Sequence, residues 1–144
     1  MPPSPDGNME ISPLSDSDET LVAAARSLLE DAHEPGRHRC AAALEAADGS
    51  IHTGINLIHD GVPSVHAEPI ALGGAVGDGV TEITASVAIV YAEDDSSRPM
   101  EVVAPCGSCR DLLWSFCGEC RIIVPTPSGA GVTQLSALRP ASPR

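Results

Sequence analysis

Two short motifs, His66-Ala67-Glu68 and Pro105-Cys106-Gly107-Ser108-Cys109, have a joint chemistry only if the fold brings them to one point. His66 and Cys106 stand forty positions apart, which leaves room for a strand between them. His66, Cys106 and Cys109 together offer one imidazole and two sulfurs, a donor set that suits zinc. A closed structural zinc site fills all four positions with protein groups, whereas a catalytic one keeps a position for water. Three ligands and a spare acid, Glu68, therefore predict metal-dependent chemistry and a fold in which two separate segments converge.

Cys106 and Cys109 are spaced i, i+3. A helix beginning at Cys106 would place both sulfurs on one face of its positively polarised end, where thiolates are favoured over thiols. Pro105 suits a helix entrance, and His66 likewise stands near the start of its own helix. Glu68 lies two residues beyond His66, a spacing that does not put both on one helical face. Its carboxylate is then left over the open metal position, where a general acid/base belongs. A competing donor set also exists. Cys106, Cys109, Cys117 and Cys120 form C-x2-C-x7-C-x2-C, four thiolates that could build a non-catalytic zinc-binding module. Zinc-ribbon pairs are separated by about 15 to 20 residues, whereas here Arg110–Phe116 intervenes and reads as helix. His33, His38, His52 and His59 show no partner pattern, so surface or structural roles are expected for them.

The chain of 144 residues reads as one domain, with residues 1–16 a disordered tail, 17–140 the zinc-dependent domain and 141–144 a short tail. That length buries roughly 70% of the unfolded surface without help from disulfides. With one Trp, one Tyr and one Phe, the core must be Ala, Val, Leu and Ile. Eight basic residues against twenty acidic ones give a net charge of −12. Binding to a nucleic-acid backbone depends on Lys and Arg releasing counterions, so a small soluble molecule is the expected partner and nucleic acid is not. No apolar run reaches about 18 residues, which argues against a membrane span. The polar, acidic first twenty residues lack the features of a signal peptide, and a cytoplasmic location is expected. Of five cysteines, four fall in C-x-x-C pairs, a pattern that in such a compartment favours metal or thiol chemistry over a disulfide framework.

Along the chain, Leu21, Ala25, Leu28, Leu29 and Ala32 recur at helical spacing after an acidic start, and Pro35-Gly36 ends that helix. Cys40–Leu44 and Ser50–Ile58 flank Asp48-Gly49 as a hairpin, although the Ala-rich first run is weak strand material. A helix follows over Val65–Val76, then a buried strand over Ile83–Tyr91, a polar loop over Glu93–Pro99, a helix over Cys106–Phe116 and a strand at Ile122–Val124. Val132–Arg144 adds one short apolar stretch. Hairpin, helix, strand, helix, strand predicts an α/β sandwich with a partly parallel sheet.

These residues are where the chain resembles the cytidine deaminase superfamily, whose zinc signature is H-x-E…P-C-x-x-C. The resemblance covers most of residues 20–140. Asp48-Gly49-Ser50-Ile51-His52-Thr53-Gly54-Ile55-Asn56 is similar to the family hairpin DG-x-x-x-TG-x-N, Pro105–Arg110 resembles P-C-G-x-C-R, and Leu135–Pro140 is similar to L-S-E-L-L-P. It implies a three-layer α/β/α sandwich with a five-stranded mixed sheet, and a hydrolase that deaminates a small nucleoside. It also implies zinc on His66, Cys106 and Cys109, with a water activated by the metal. Glu68 would shuttle protons, Asn56 would bond a sugar hydroxyl, and the backbone of Ala67 would meet the base carbonyl. A homotetramer is implied as well.

Two departures bear on the substrate. Many small members carry a cysteine and an arginine where His66 and Pro69 stand, and these two changes offset each other in charge. Asn56-Leu57-Ile58 replaces the family's N-I-E, so the glutamate that grips ribose is absent, and the C-terminal Phe is missing too. In these respects the chain is more similar to the blasticidin S-type branch than to cytidine or deoxycytidine deaminases. A different amino-substituted ring, such as guanine or a pterin, is the alternative substrate class.

Overall fold

The computed structural model describes residues 10–92 and 99–138. Residues 1–9 of the expected tail, the 93–98 loop and residues 139–144, including the end of the Leu135–Pro140 motif, lie outside the described residues. Helix α1 runs over Asp16–Ala32 and begins with a capping box: the Asp18 N–H donates to Ser15 Oγ (3.2 Å) and the Ser15 N–H to Asp18 Oδ2 (3.0 Å). Residues 10–15 differ from the expected disordered tail, because Ser12 forms a β-bridge with Val132 and Ser15 caps the helix.

Strands β1 (Cys40–Ala46) and β2 (Ile51–Ile55) form the expected hairpin, with Ala43 opposite Thr53 and Gly49 taking φ 87° in the turn. The chain then adds a small separate hairpin, β3 (Leu57–His59) with β4 (Val62–Val65), that periodicity does not show. Helix α2 covers Ala67–Gly77 and β5 covers Ile83–Tyr91. Strand β6 (Met100–Val103) pairs antiparallel with the end of β5. Helix α3 (Gly107–Cys117), strands β7 (Arg121–Thr126) and β8 (Gly129–Gln134) and the short helix α4 (Leu135–Leu138) complete the chain. The main sheet has the order β2-β1-β5-β7-β8, with β6 also on β5; β5 and β7 are parallel and the other pairs antiparallel. The five-stranded mixed sheet expected from the resemblance is present with one extra strand. Among the described residues no helix is long and apolar enough to cross a membrane.

The sheet separates two cores. On one face Leu21, Ala25 and Leu29 of α1 pack on Ala41, Ala43, Val87 and Ile89. On the other, Ala67, Ala71, Leu72 and Ala75 of α2 and Leu113 of α3 pack on Ala42, Leu44, Ile122 and Val124. Alternating β1 residues thus serve both cores, as the period of a strand requires. The Ala-rich run that reads as a weak strand is in fact paired on both sides and buried. Alanine is favoured there because both helices then come close to the sheet. Trp114 and Phe116 stay partly outside, with Phe116 56% exposed.

Two contacts tie the layers together. Arg121 on β7 reaches both Asp18 Oδ1 of α1 (3.0 Å) and Glu45 Oε1 of β1 (3.2 Å). Burial of Asp18 opposes ionisation, but hydrogen bonds from Ser15 and Arg121 outweigh it and hold its carboxyl below the usual range. A depressed folded-state value stabilises the fold above the unfolded value and is lost as pH falls through the folded one. Asp18→Asn should therefore lower stability at neutral pH, and its deficit in urea unfolding should shrink below about pH 4. The second contact is Gly54 on β2. A Cβ there would strike the backbone N of Ala71 and come within 2.8 Å of Ala67 O, both in α2. Gly54→Ala should cost about 1–3 kcal/mol in chemical denaturation by pushing α2 off the sheet.

Candidate active site

Two helix starts meet above the α2/α3 face of the sheet. His66 is the N-cap of α2 with extended backbone (φ −75°, ψ 162°), and its side chain makes no capping bond. Cys106, the expected helix start, is the N-cap of α3, so the helix begins one residue later, and its Sγ accepts from the Cys109 N–H at 3.4 Å. His66 Nδ1 lies 3.2 Å from Cys106 Sγ and 3.4 Å from Cys109 Sγ. The three donor atoms fall within 4.8 Å of one another. Tetrahedral zinc with ordinary Zn–N and Zn–S bonds would set N···S at about 3.6 Å, so the cluster needs to open by only a few tenths of an ångström. Two soft sulfurs and an imidazole fit zinc in number and chemistry. Among the described residues this is the single His/Cys/Asp/Glu cluster close enough to hold a metal ion.

The four-thiolate alternative is not formed. Cys117 ends α3 and Cys120 follows it, whereas Cys106 caps the opposite end of the same helix. Eleven residues of α-helix at about 1.5 Å per residue put the two pairs on the order of 16 Å apart.

Glu68 sits in the first turn of α2, buried at 5% exposure. Burial pushes its carboxyl above the ordinary range, against the lowering effect of a backbone hydrogen bond, of His66 and of the Cys109 side chain. The thiols around it divide sharply. For Cys106 desolvation opposes ionisation, yet hydrogen bonds with Ser108 (Oγ at 3.2 Å), with the Cys109 amide and with the Cys109 side chain bring it down to about 7. Burial, and then the Glu68 charge, pushes the Cys109 thiol up. The same two causes push Cys40 up to about 12.

A cavity of about 230 Å³ opens beside this cluster, lined on its polar side by Asn56, His66, Glu68 and Cys106, with Ala67 at the start of α2. Larger hollows of about 380 and 460 Å³ lie elsewhere on the surface, away from the His66, Cys106 and Cys109 cluster. Asn56 is buried, and its Oδ1 accepts from the Arg39 N–H (2.7 Å) and the Cys40 N–H (2.9 Å). Both bonds fix the orientation of the Asn56 side chain. His38, which shows no partner pattern in the sequence, contacts the Asn56 carbonyl through Nδ1 at 2.9 Å. Ala67 occupies the first position of α2, where backbone N–H groups have no intrahelical acceptor.

Three contributors are not visible from spacing. Cys40 and Arg39 line the cavity, and the Arg39 guanidinium donates to the Tyr91 and Ala92 carbonyls (2.8 and 2.6 Å). Arg110, the last residue of the P-C-G-x-C-R-like stretch, donates from Nε to Pro105 O and from Nη1 to Leu138 O, each at 2.7 Å. It therefore locks the Cys106 loop to α4. Ile58 is absent from the cavity wall.

The unequal acidity of the thiols has a direct consequence for metal-free protein, because the thiolate is the reactive form. Iodoacetamide at neutral pH should alkylate Cys106 well before Cys109 or Cys40, as peptide mapping of a time course would show.

Comparison with known proteins gives the family and the fold. Residues 15–124 match the family model described as the cytidine and deoxycytidylate deaminase zinc-binding region. The chain is 30% identical over 113 residues to a blasticidin-S deaminase of Bacillus cereus, covering 77% of this chain and 81% of that protein. It is 34% identical over 101 residues to a cytidine deaminase of Sporosarcina psychrophila, covering 69% of each. Its fold is similar to that of the cytidine deaminase from Bacillus anthracis, with a TM-score of 0.71 at 21% identity, over 86% of this chain and 87% of that one. The cytidine deaminase from Burkholderia pseudomallei gives a TM-score of 0.68 at 22% identity, over 90% and 99%.

Proposed function

The chain belongs to the family of the cytidine and deoxycytidylate deaminase zinc-binding region, whose members among its relatives are hydrolytic deaminases, and from that premise we propose that it removes the amino group of a small cytosine-type nucleoside. The observation that carries this reading is one cavity whose wall includes the His66 imidazole and Cys106 thiol of the three-donor cluster, the buried Glu68 carboxyl of raised proton affinity and the Asn56 amide.

In this reading His66, Cys106 and Cys109 hold zinc, three protein ligands being the number that catalytic zinc sites use. Bound there, zinc supplies the Lewis acidity that makes water a nucleophile near neutral pH. Glu68 takes the proton of the attacking water and delivers it to the ring nitrogen next to C4. It then serves the departing amine, so that the C4–N bond breaks, ammonia leaves and a carbonyl remains on the ring. Its burial suits this task, since a carboxyl with raised proton affinity is a better proton acceptor than an ordinary one. The Ala67 N–H donates to the base carbonyl, and Asn56 Nδ2 to a sugar hydroxyl.

The sugar contacts favour a modified substituent over ribose. Glu68 is the only carboxylate in the cavity wall among the described residues, and Ile58 stands where cytidine deaminases have their ribose-binding glutamate. Similarity to the Bacillus cereus blasticidin-S deaminase supports the same choice. A homotetrameric, cytoplasmic enzyme belongs to this reading. Exposed Leu57, Val62, Val76 and Phe116 give such an assembly apolar surface to bury.

Ammonia release from cytidine, deoxycytidine, blasticidin S, cytosine, guanine and adenosine tests the proposal, with the cytosine nucleosides expected to react and blasticidin S fastest. Guanine turnover without any cytosine turnover would replace it by a different ring. Glu68→Gln should reduce the rate by about 10²–10⁴-fold while zinc content by metal analysis stays unchanged. Undiminished turnover in that variant removes Glu68 from the mechanism.

A further inference from the structure

The deaminase chemistry uses one C-x-x-C pair and leaves the other unexplained. Cys117 is the last residue of α3, Gly118 turns the chain with φ 62° and ψ −136°, and Cys120 immediately precedes β7. Both side chains enter the same apolar cluster, Cys120 buried within it and Cys117 half-buried against it. The two thiols are hydrogen-bonded to each other. Among the described residues neither belongs to a cluster able to hold a metal ion. A C-x-x-C pair that meets in one apolar cluster across a single chain reversal has the neighbourhood a disulfide needs.

We infer that Cys117 and Cys120 form a reversible intramolecular disulfide, a thiol-oxidation site that takes a low-molecular-weight disulfide as its electron acceptor. The two thiols have different parts. The hydrogen bond from Cys120 lowers the Cys117 thiol from its ordinary value and pushes that of Cys120 up, so Cys117, the more accessible sulfur, ionises first. Its thiolate attacks one sulfur of the acceptor RSSR, giving a mixed disulfide Cys117–S–S–R and releasing RS⁻. Cys120 loses its proton to solvent, attacks the Cys117 sulfur and releases the second RS⁻. The protein gives up two electrons and two protons, and RSSR becomes two RSH. Closure joins the end of α3 to the start of β7. Cys106 and Cys109 lie at the far end of the same helix and take no part.

The test uses the full chain purified in the presence of zinc, oxidised glutathione as the acceptor, and alkylation after denaturation. Five cysteines less the two joined should leave three reactive thiols. The mass should fall by about 2 Da for the hydrogens lost, with the bond mapped to Cys117–Cys120 and dithiothreitol restoring all five. Cys117→Ser should keep every thiol it has, and Cys120→Ser should trap glutathione on Cys117. Five thiols after oxidation, a bond mapped to Cys106–Cys109, or one joining two chains overturns the assignment. Thiol count and mass are independent of deamination, so this inference and the proposed reaction fail separately.

Discussion

The contact on which the rest of the structure depends is the close packing of α2 on the β1–β2 hairpin. Ala67, Ala71 and Ala75 face a sheet surface of Ala42, Leu44 and Ala46, and Gly54 leaves no Cβ between strand and helix. A larger side chain at any of these positions would lift the helix. The helix matters because its first residues are chemical ones: His66 caps it and Glu68 completes its first turn. The aromatic-poor composition, which looks at first like a weak core, is the means by which two helix layers come near one sheet.

The same approach produces the electrostatics. Once α2 and α3 start at neighbouring points, His66 Nδ1, two sulfurs and a carboxyl crowd together in partial exclusion from water. Desolvation raises the proton affinity of Glu68, Cys109 and Cys40, while the exposed Cys106 is drawn the other way by donors at the start of α3. A buried carboxyl beside a thiol that resists ionisation is costly without a cation. A divalent metal would relieve that cost by holding the thiols as thiolates.

Much of this was legible. Helix α1, strand β5 and the two helices behind the motifs follow from apolar period and turn residues, because those elements bury one stripe or both faces. The elements that escaped are short. Strand β6 holds four residues and β3 three, too few to show a period, and they exist because neighbouring strands accept their hydrogen bonds. Strand β1 is legible only weakly, since alanine has little strand preference of its own and is placed there by the two helices it must accommodate. In the site, the ligand triplet was visible from residue type and spacing, and so was the spare acid.

By itself the sequence determined which atoms could meet a metal, because donor chemistry and local helix starts are properties of short segments. It also determined the layered α/β class, through the order of its periodic runs. Only the tertiary structure decided that the two cysteine pairs do not share one site, because a rigid helix of eleven residues keeps Cys117 and Cys120 from Cys106 and Cys109. It likewise decided how the buried Asn56 side chain is held beside the cavity, since Oδ1 accepts from the Arg39 and Cys40 amides, more than fifteen residues earlier in the chain. Contacts of that kind leave no periodic trace, because they link residues whose distance in space is set by strand pairing and not by their separation along the chain.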